Sequence, residues 1–254
     1  VFLQSIEPLL DFTGDEQKTL KFLNDMEIKG NVESLEKDDL TRLCTALTLK
    51  LLMQGSFAAD SSFGEVIRLK KEVVENSLEL VQLLNACGNR DVPGLGLTIC
   101  LRDKNAINEA KRLADDYKNH IMREITALRE QNRVLKNIRY MKMENMEAGA
   151  IVSGLGIRYI FPDIPLITLN HKDEMVKISA RGNKPLISKG LDLSIALQKA
   201  AAAVGGTGGG HSIASGASIP PGTEERFLAM VDEIVGEQIH KDATDRASHF
   251  EDKA

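Results

Sequence analysis

Near Gly149 the hydrophobic period of this sequence changes, and the change divides the chain into two kinds of structure. Upstream, apolar residues recur every three or four positions, the period of an amphipathic helix. Downstream they come in short runs bounded by Gly, Pro, Asp and Asn, the pattern of strands separated by turns. The expected fold class is α/β in the α+β sense: a helical N-terminal half, a long connecting helix, and a small mixed-sheet C-terminal domain.

The upstream period predicts helices over Asp15–Met26, with Asp15 as the cap, over Lys37–Met53 and over Phe63–Leu84. Asn89–Gly96, with Pro93 and two glycines, reads as a surface turn. The longest periodic stretch follows: Ile107, Ala110, Leu113, Tyr117, Ile121, Ile125, Leu128, Leu135 and Ile138 repeat at spacings of three, four and seven. One helix over that stretch, with charges on its other faces, suits a packing spacer or a partner-binding seam. The expected organisation is a helical connector over 1–100, a linking helix over 101–147, an α/β domain over 148–241 and a charged tail over 242–254. Within the α/β domain, strands are expected at Ala150–Val152, Ile157–Phe161, Leu166–Leu169, Met175–Ala180 and Gly216–Ile219. Helices are expected at Asp192–Ala203 and from Thr223 to about His240.

Composition narrows the function. A chain of 254 residues, 43% hydrophobic, can bury a sizeable core. A net charge of −5 excludes a protein that coats nucleic acid over its whole surface, so any such site is local. Cys44, Cys87 and Cys100 are odd in number and far apart, which indicates neither a disulfide framework nor a zinc site and fits a reducing cytoplasm. No apolar run approaches the ~18 residues of a membrane span. The chain opens on Val1 rather than Met, as expected of either a fragment or a processed form.

The segment Gly205-Gly206-Thr207-Gly208-Gly209-Gly210-His211 carries the most chemical information. Five glycines in this short stretch let backbone N–H groups come very close to a ligand, as phosphate or a carboxylate requires, or else form a flexible turn. The Lys-Ser/Thr of a P-loop is missing, and no dinucleotide-binding G-x-G-x-x-G follows a strand here. Upstream, Lys177, Ser179 and Arg181 alternate along a strand and so share one side of it. From Met175 to Gly222 there are five Lys/Arg against a single acid, Asp192, which reverses the charge of the chain locally. Strand lysines also serve simply to protect a sheet edge. The same stretch contains no aromatic residue, so phosphate contacts should dominate over base stacking and sequence preference should be low.

Three pieces of sequence resemble one family. Ile178-Ser179-Ala180-Arg181-Gly182, the run from Gly205 through His211 to Ala214, Gly216 and Ala217, and then Glu224-Glu225-Arg226-Phe227-Leu228 look like the DHH-associated domain of archaeal RecJ-like proteins of the DHH superfamily. Leu83-Leu84-Asn85-Ala86-Cys87-Gly88 resembles part of the connector that precedes that domain, with Asn89 standing where an arginine is more usual and Arg90 beside it. The likeness is closest from Met175 to Val235 and loose through the helical half.

The resemblance implies that the glycine segment, with His211, contacts the phosphate or base of single-stranded DNA or RNA, and that Arg181 helps neutralise its backbone. It also implies a parent phosphodiesterase or exonuclease whose catalytic domain, ahead of Val1, would hold manganese or magnesium for water attack on phosphate. The sequence has no Asp-His-His and no Asp-x-Asp, so no catalytic or metal-ligating residue is assigned here and this chain alone is expected to be inactive. The polar cluster Asp242, Asp245, His249 and Asp252 reads as a solvated end. An alternative reading is a non-catalytic scaffold of an archaeal replication assembly, bound to GINS or other replication proteins. A third, a tRNA-holding domain like the C-terminal part of alanyl-tRNA synthetases, is disfavoured by the Leu83–Gly88 segment.

Overall fold

The computed structural model describes residues 7–30, 32–59, 64–65, 67–143, 148–172 and 174–251. It divides into two compact units, Val1–Thr48 with Ala59–Arg123 and Leu49–Ala58 with Glu124–Ala254.

The first unit is helical. Asp15 caps α1 (Glu16–Asp25) by accepting from the Lys18 N–H at 3.0 Å, as its position ahead of the apolar period predicts. A 3-10 turn (Val32–Ser34) precedes α2, which spans Lys37–Met53 with the bounds the period predicts. The helix expected over Phe63–Leu84 begins only at Ser77: α3 covers Ser77–Asn89. The Asn76 side chain accepts from Leu78 and Glu79 N–H and fixes that start, while Arg68 and Asn76 pair as an isolated bridge upstream. Phe63 itself lies outside the described residues. The turn expected over Asn89–Gly96 is shorter, because Pro93 opens a further helix, α4 (Pro93–Cys100). Proline's fixed φ and missing N–H suit a first helical turn. Val74, Leu83, Cys87, Ile99, Ala106 and Ala110 form a buried cluster of this unit.

The long helix α5 spans Ala106–Gln131 and stops short of Leu135 and Ile138. Asn132 ends it: its side-chain amide donates to the carbonyls of Leu128 and Arg129, satisfying acceptors that a continuing helix would have used. In place of the end of a linking helix over 101–147 stands a hairpin of β1 (Arg133–Val134) and β2 (Arg139–Met143).

Among the described residues the second unit is built on a six-stranded sheet in the order β1-β2-β3-β4-β6-β5, with β3 at Leu166–Lys172, β4 at Met175–Arg181, β5 at Thr207–His211 and β6 at Ala214–Ile219. In that sheet β2 and β3 run parallel and the other neighbours are antiparallel. The connection between β2 and β3 corrects two expected strands: Ala150–Val152 lies in α6 (Gly149–Leu155), and Ile157–Phe161 falls mostly in a π-helical continuation (Gly156–Ile160). Glycines allow that helix to press onto β3. A Cβ on Gly149 would sit 2.5 Å from Asn170 Nδ2, and one on Gly156 would overlap the Leu166 side chain.

After a short α7 (Lys184–Ile187), α8 (Leu193–Ala203) begins at Asp192, whose side chain accepts from the Ile195 N–H. Its Leu193, Ala196, Leu197 and Ala200 are fully buried. Each of the two leucines contributes about 1.5–3 kcal/mol by that burial. The last helix, α9, runs Glu224–Glu251, past the expected end near His240 and through most of the expected tail. The side chains of Asp242, Asp245 and His249, and all of Asp252, lie outside what the structure describes. Gln238 on α9 both accepts from the Asp192 N–H and donates to its carbonyl, each at 3.0 Å, which fixes α9 to the start of α8. Among the described residues no helix is long and apolar enough to cross a membrane.

Candidate nucleic-acid interface

Strand alternation sorts β4 into two faces. Val176, Ile178 and Ala180 are buried, while Lys177, Ser179 and Arg181 line the opposite face. Register carries that face across the sheet: Lys177 lies opposite Ser218 and then Thr207, Ser179 opposite Gly216 and then Gly209, Arg181 opposite Ala214 and then His211. Arg181 and His211 therefore end one row, two strand spacings or ~10 Å apart at the backbone. Toward β3 this face is roofed: Thr168 and Asn170 are buried, and the Thr168 hydroxyl donates to the Gly149 carbonyl on α6 at 3.1 Å. Toward β5 it is open. No described atom lies within 4 Å of where a Cβ on Gly209 would stand.

The glycine segment, expected to be a ligand-contacting stretch or a flexible turn, is mostly strand, the edge strand β5. Its glycines have separate reasons. Gly205, at φ +78°, turns the chain out of α8, and Gly206 is pressed against the Ser218 carbonyl. Gly208 faces the other way, with a Cβ there 2.6 Å from the Leu197 carbonyl oxygen on α8. Gly210, at φ +145°, would bring a Cβ within 2.7 Å of the Ala214 carbonyl oxygen. Of the residues singled out from sequence, the structure thus brings Lys177, Ser179, Arg181, Gly209 and His211 onto one face. Gly205, Gly206, Gly208 and Gly210 shape the strand that presents it. Sequence reading missed Ser218 and Thr207, whose membership only the strand register shows.

The hairpin tip that carries His211 is held in place. Gly182, next to Arg181, donates its N–H to the Ile213 carbonyl at 2.8 Å, and Leu193 donates to the Ser212 carbonyl at 3.0 Å. The Ser215 hydroxyl donates to the His211 carbonyl at 2.8 Å. The same anchors thus fix both Arg181 and His211.

Arg181 is half-buried, and its guanidinium donates to the Ala180 carbonyl at 2.9 Å, with no carboxylate within ion-pair distance among the described residues. Burial lowers its pKa from the usual arginine value, the mark of a cation short of counter-charge. Lys177 Nζ donates to Ser218 Oγ at 3.0 Å. The face offers cations, hydroxyls and bare backbone, which together suit an anionic ester. Among the described residues no three His, Cys, Asp or Glu converge.

Residues 101–237 match the DHHA1 domain family. An uncharacterized protein of Methanocaldococcus jannaschii is 31% identical over 235 residues, covering 92% of this chain and 51% of its own length, so the chain spans about half of that relative. In fold, the chain is similar to RecJ of Thermus thermophilus, solved in complex with Mn2+, with a TM-score of 0.52 at 16% identity over 61% of this chain and 23% of that one. It is similar also to CDC45 of Entamoeba histolytica, with a TM-score of 0.51 at 8% identity over 87% of this chain and 50% of that one. The match over residues 101–237, more than half of its length, makes the chain a member of the DHHA1 domain family.

Proposed function

We propose that this chain is the substrate-gripping part of a phosphodiesterase or exonuclease that acts on single-stranded DNA or RNA. The observation that carries the reading is Arg181: a half-buried guanidinium without a carboxylate partner among the described residues, in register with His211 across an open strand surface. A strand phosphate would supply the missing counter-charge through charge-assisted hydrogen bonds. Glycine at 209 and 216 lets the sugar-phosphate backbone lie close to the sheet. Hydrolysis, with manganese or magnesium, belongs to a separate catalytic domain of the whole protein, and this chain alone binds without cutting.

The test is fluorescence anisotropy of labelled short DNA and RNA strands at two salt concentrations, with the chain and its Arg181→Ala/His211→Ala variant. Binding that weakens with salt and is lost in the folded variant is the expected result. Equal binding by the two proteins would overturn the reading.

A scaffold role in a replication assembly is favoured by a different observation. Leu49, Leu52 and Met53, at helical spacing along the last turns of α2, are 55%, 56% and 86% exposed, apolar surface of the kind that meets a protein partner. Purified GINS would bind the chain under this reading, and the Arg181→Ala/His211→Ala variant would bind it equally well.

A further inference from the structure

The opposite edge of the sheet carries a second opening. Arg133 and Tyr140 are cross-strand partners in β1 and β2, and Lys142 lies two residues past Tyr140, so the three side chains share one face. With Glu130, Gln131 and Asn132 from the end of α5 they line a cavity of about 500 Å³, within the usual size range of small-molecule sites. This is not the Arg181–His211 face. Tyr140 pairs with Ile167, which pairs with Ala180, whereas the Arg181 row runs through Leu166.

The cavity has a hydrogen-bonded wall and two exposed cations. Asn132 accepts from Arg139 Nη1 at 2.6 Å while its amide holds the end of α5, and Arg139 lies 4.0 Å over the Phe161 ring. Asp163 pairs with Arg139, not with the cavity's own cations. Arg133 and Lys142 are exposed and have no acidic partner among the described residues. Tyr140 is half-buried at the cavity wall, whereas Tyr117 and Tyr159 are enclosed by the core.

We propose that this cavity is a nucleotide-binding site, separate from the Arg181–His211 face and independent of its function. The base stacks on Tyr140, as bases do on exposed aromatic rings in single-strand-binding proteins. The phosphate lies between Arg133 and Lys142, and Glu130 accepts from an exocyclic amino group of the base. A bare anion would need only the two cations; the aromatic ring beside them is what selects a nucleotide.

The chain has three tyrosines and no tryptophan, which makes ring-labelled tyrosine NMR a direct readout. Titration with AMP should move the Tyr140 resonance saturably and leave those of Tyr117 and Tyr159 in place, while inorganic phosphate at equal concentration should move it far less. Arg133→Ala/Lys142→Ala should weaken the AMP titration at least roughly tenfold, the scale of losing charge-assisted contacts. Its unmoved Tyr117 and Tyr159 signals would report an intact fold. Arg181→Ala/His211→Ala should leave the titration unchanged even if it abolishes strand binding. The proposal is overturned if Tyr140 does not respond into the millimolar range, if phosphate alone reproduces the response, or if either variant gives the opposite result.

Discussion

Asp232 on α9 holds Asn137 in the turn between β1 and β2. Its Oδ1 accepts from the Asn137 N–H at 2.6 Å and from the Ile138 N–H at 3.1 Å, and the Asn137 amide donates back to the Asp232 carbonyl at 2.9 Å. One helical turn along, Gly236 leaves room for Asn137, where a Cβ would lie 2.5 Å from its Nδ2. The hairpin that follows the long helix is therefore fastened to the last helix through both the carboxylate and the carbonyl of Asp232.

Asp232→Ala should cost about 2 kcal/mol, because two part-buried backbone donors lose a charged acceptor. Asp232→Asn, which keeps an Oδ1, should cost less. Urea unfolding of the two variants beside the parent chain measures both.

The glycines of β5 should separate folding from binding. Gly208→Ala pushes a methyl into the α8 backbone and should destabilise by about 1–3 kcal/mol. Gly209→Ala meets nothing within 4 Å and should fold normally, yet it raises a methyl on the open face and should weaken strand binding. Thermal melts and anisotropy on the same two variants check the pair.

If Arg181 contacts a strand phosphate, Arg181→Ala should lower the slope of log affinity against log salt by about one, uniformly across sequences. An unchanged slope would place the phosphate elsewhere.

The three thiols should react in order of access. Cys100 is exposed and Cys44 half-buried, while Cys87 is buried and burial raises its pKa, so less thiolate forms at a given pH. Maleimide labelling at neutral pH should modify Cys100 first and reach Cys87 only in denaturant. Early labelling of Cys87 would contradict its place in the helical core.

Much of the architecture is legible in the sequence where one signal dominates. Lys37–Met53 has an uninterrupted helical period, Asp15 stands where a cap belongs, and β4 alternates cleanly. The failures have physical causes. Ala150–Val152 and Ile157–Phe161 contain β-branched residues in short apolar runs, which periodicity cannot tell from a buried helix; small Gly149 and Gly156 decide for a helix through close packing on β3. Leu135 and Ile138 stay in phase with α5 by coincidence, and a polar side chain, Asn132, overrides the phase. In the candidate site the residue types are readable from composition and charge. That the glycine segment is a strand is not, since glycine is depleted in strands and only its pairing with β6 and its fit under α8 hold it there.

That glycine strand has a thermodynamic consequence. A glycine in a strand interior gives up more backbone freedom than an alanine would, at ~0.5–1 kcal/mol each, and Gly208, Gly209 and Gly210 are consecutive on an edge with a neighbour on one side only. The amides of β5 should therefore be among the first in the sheet to exchange with solvent, and a strand laid across Gly209 should slow them. Part of every ligand's binding free energy is spent stilling the surface it binds, so affinity at this face tracks how quiet the edge already is.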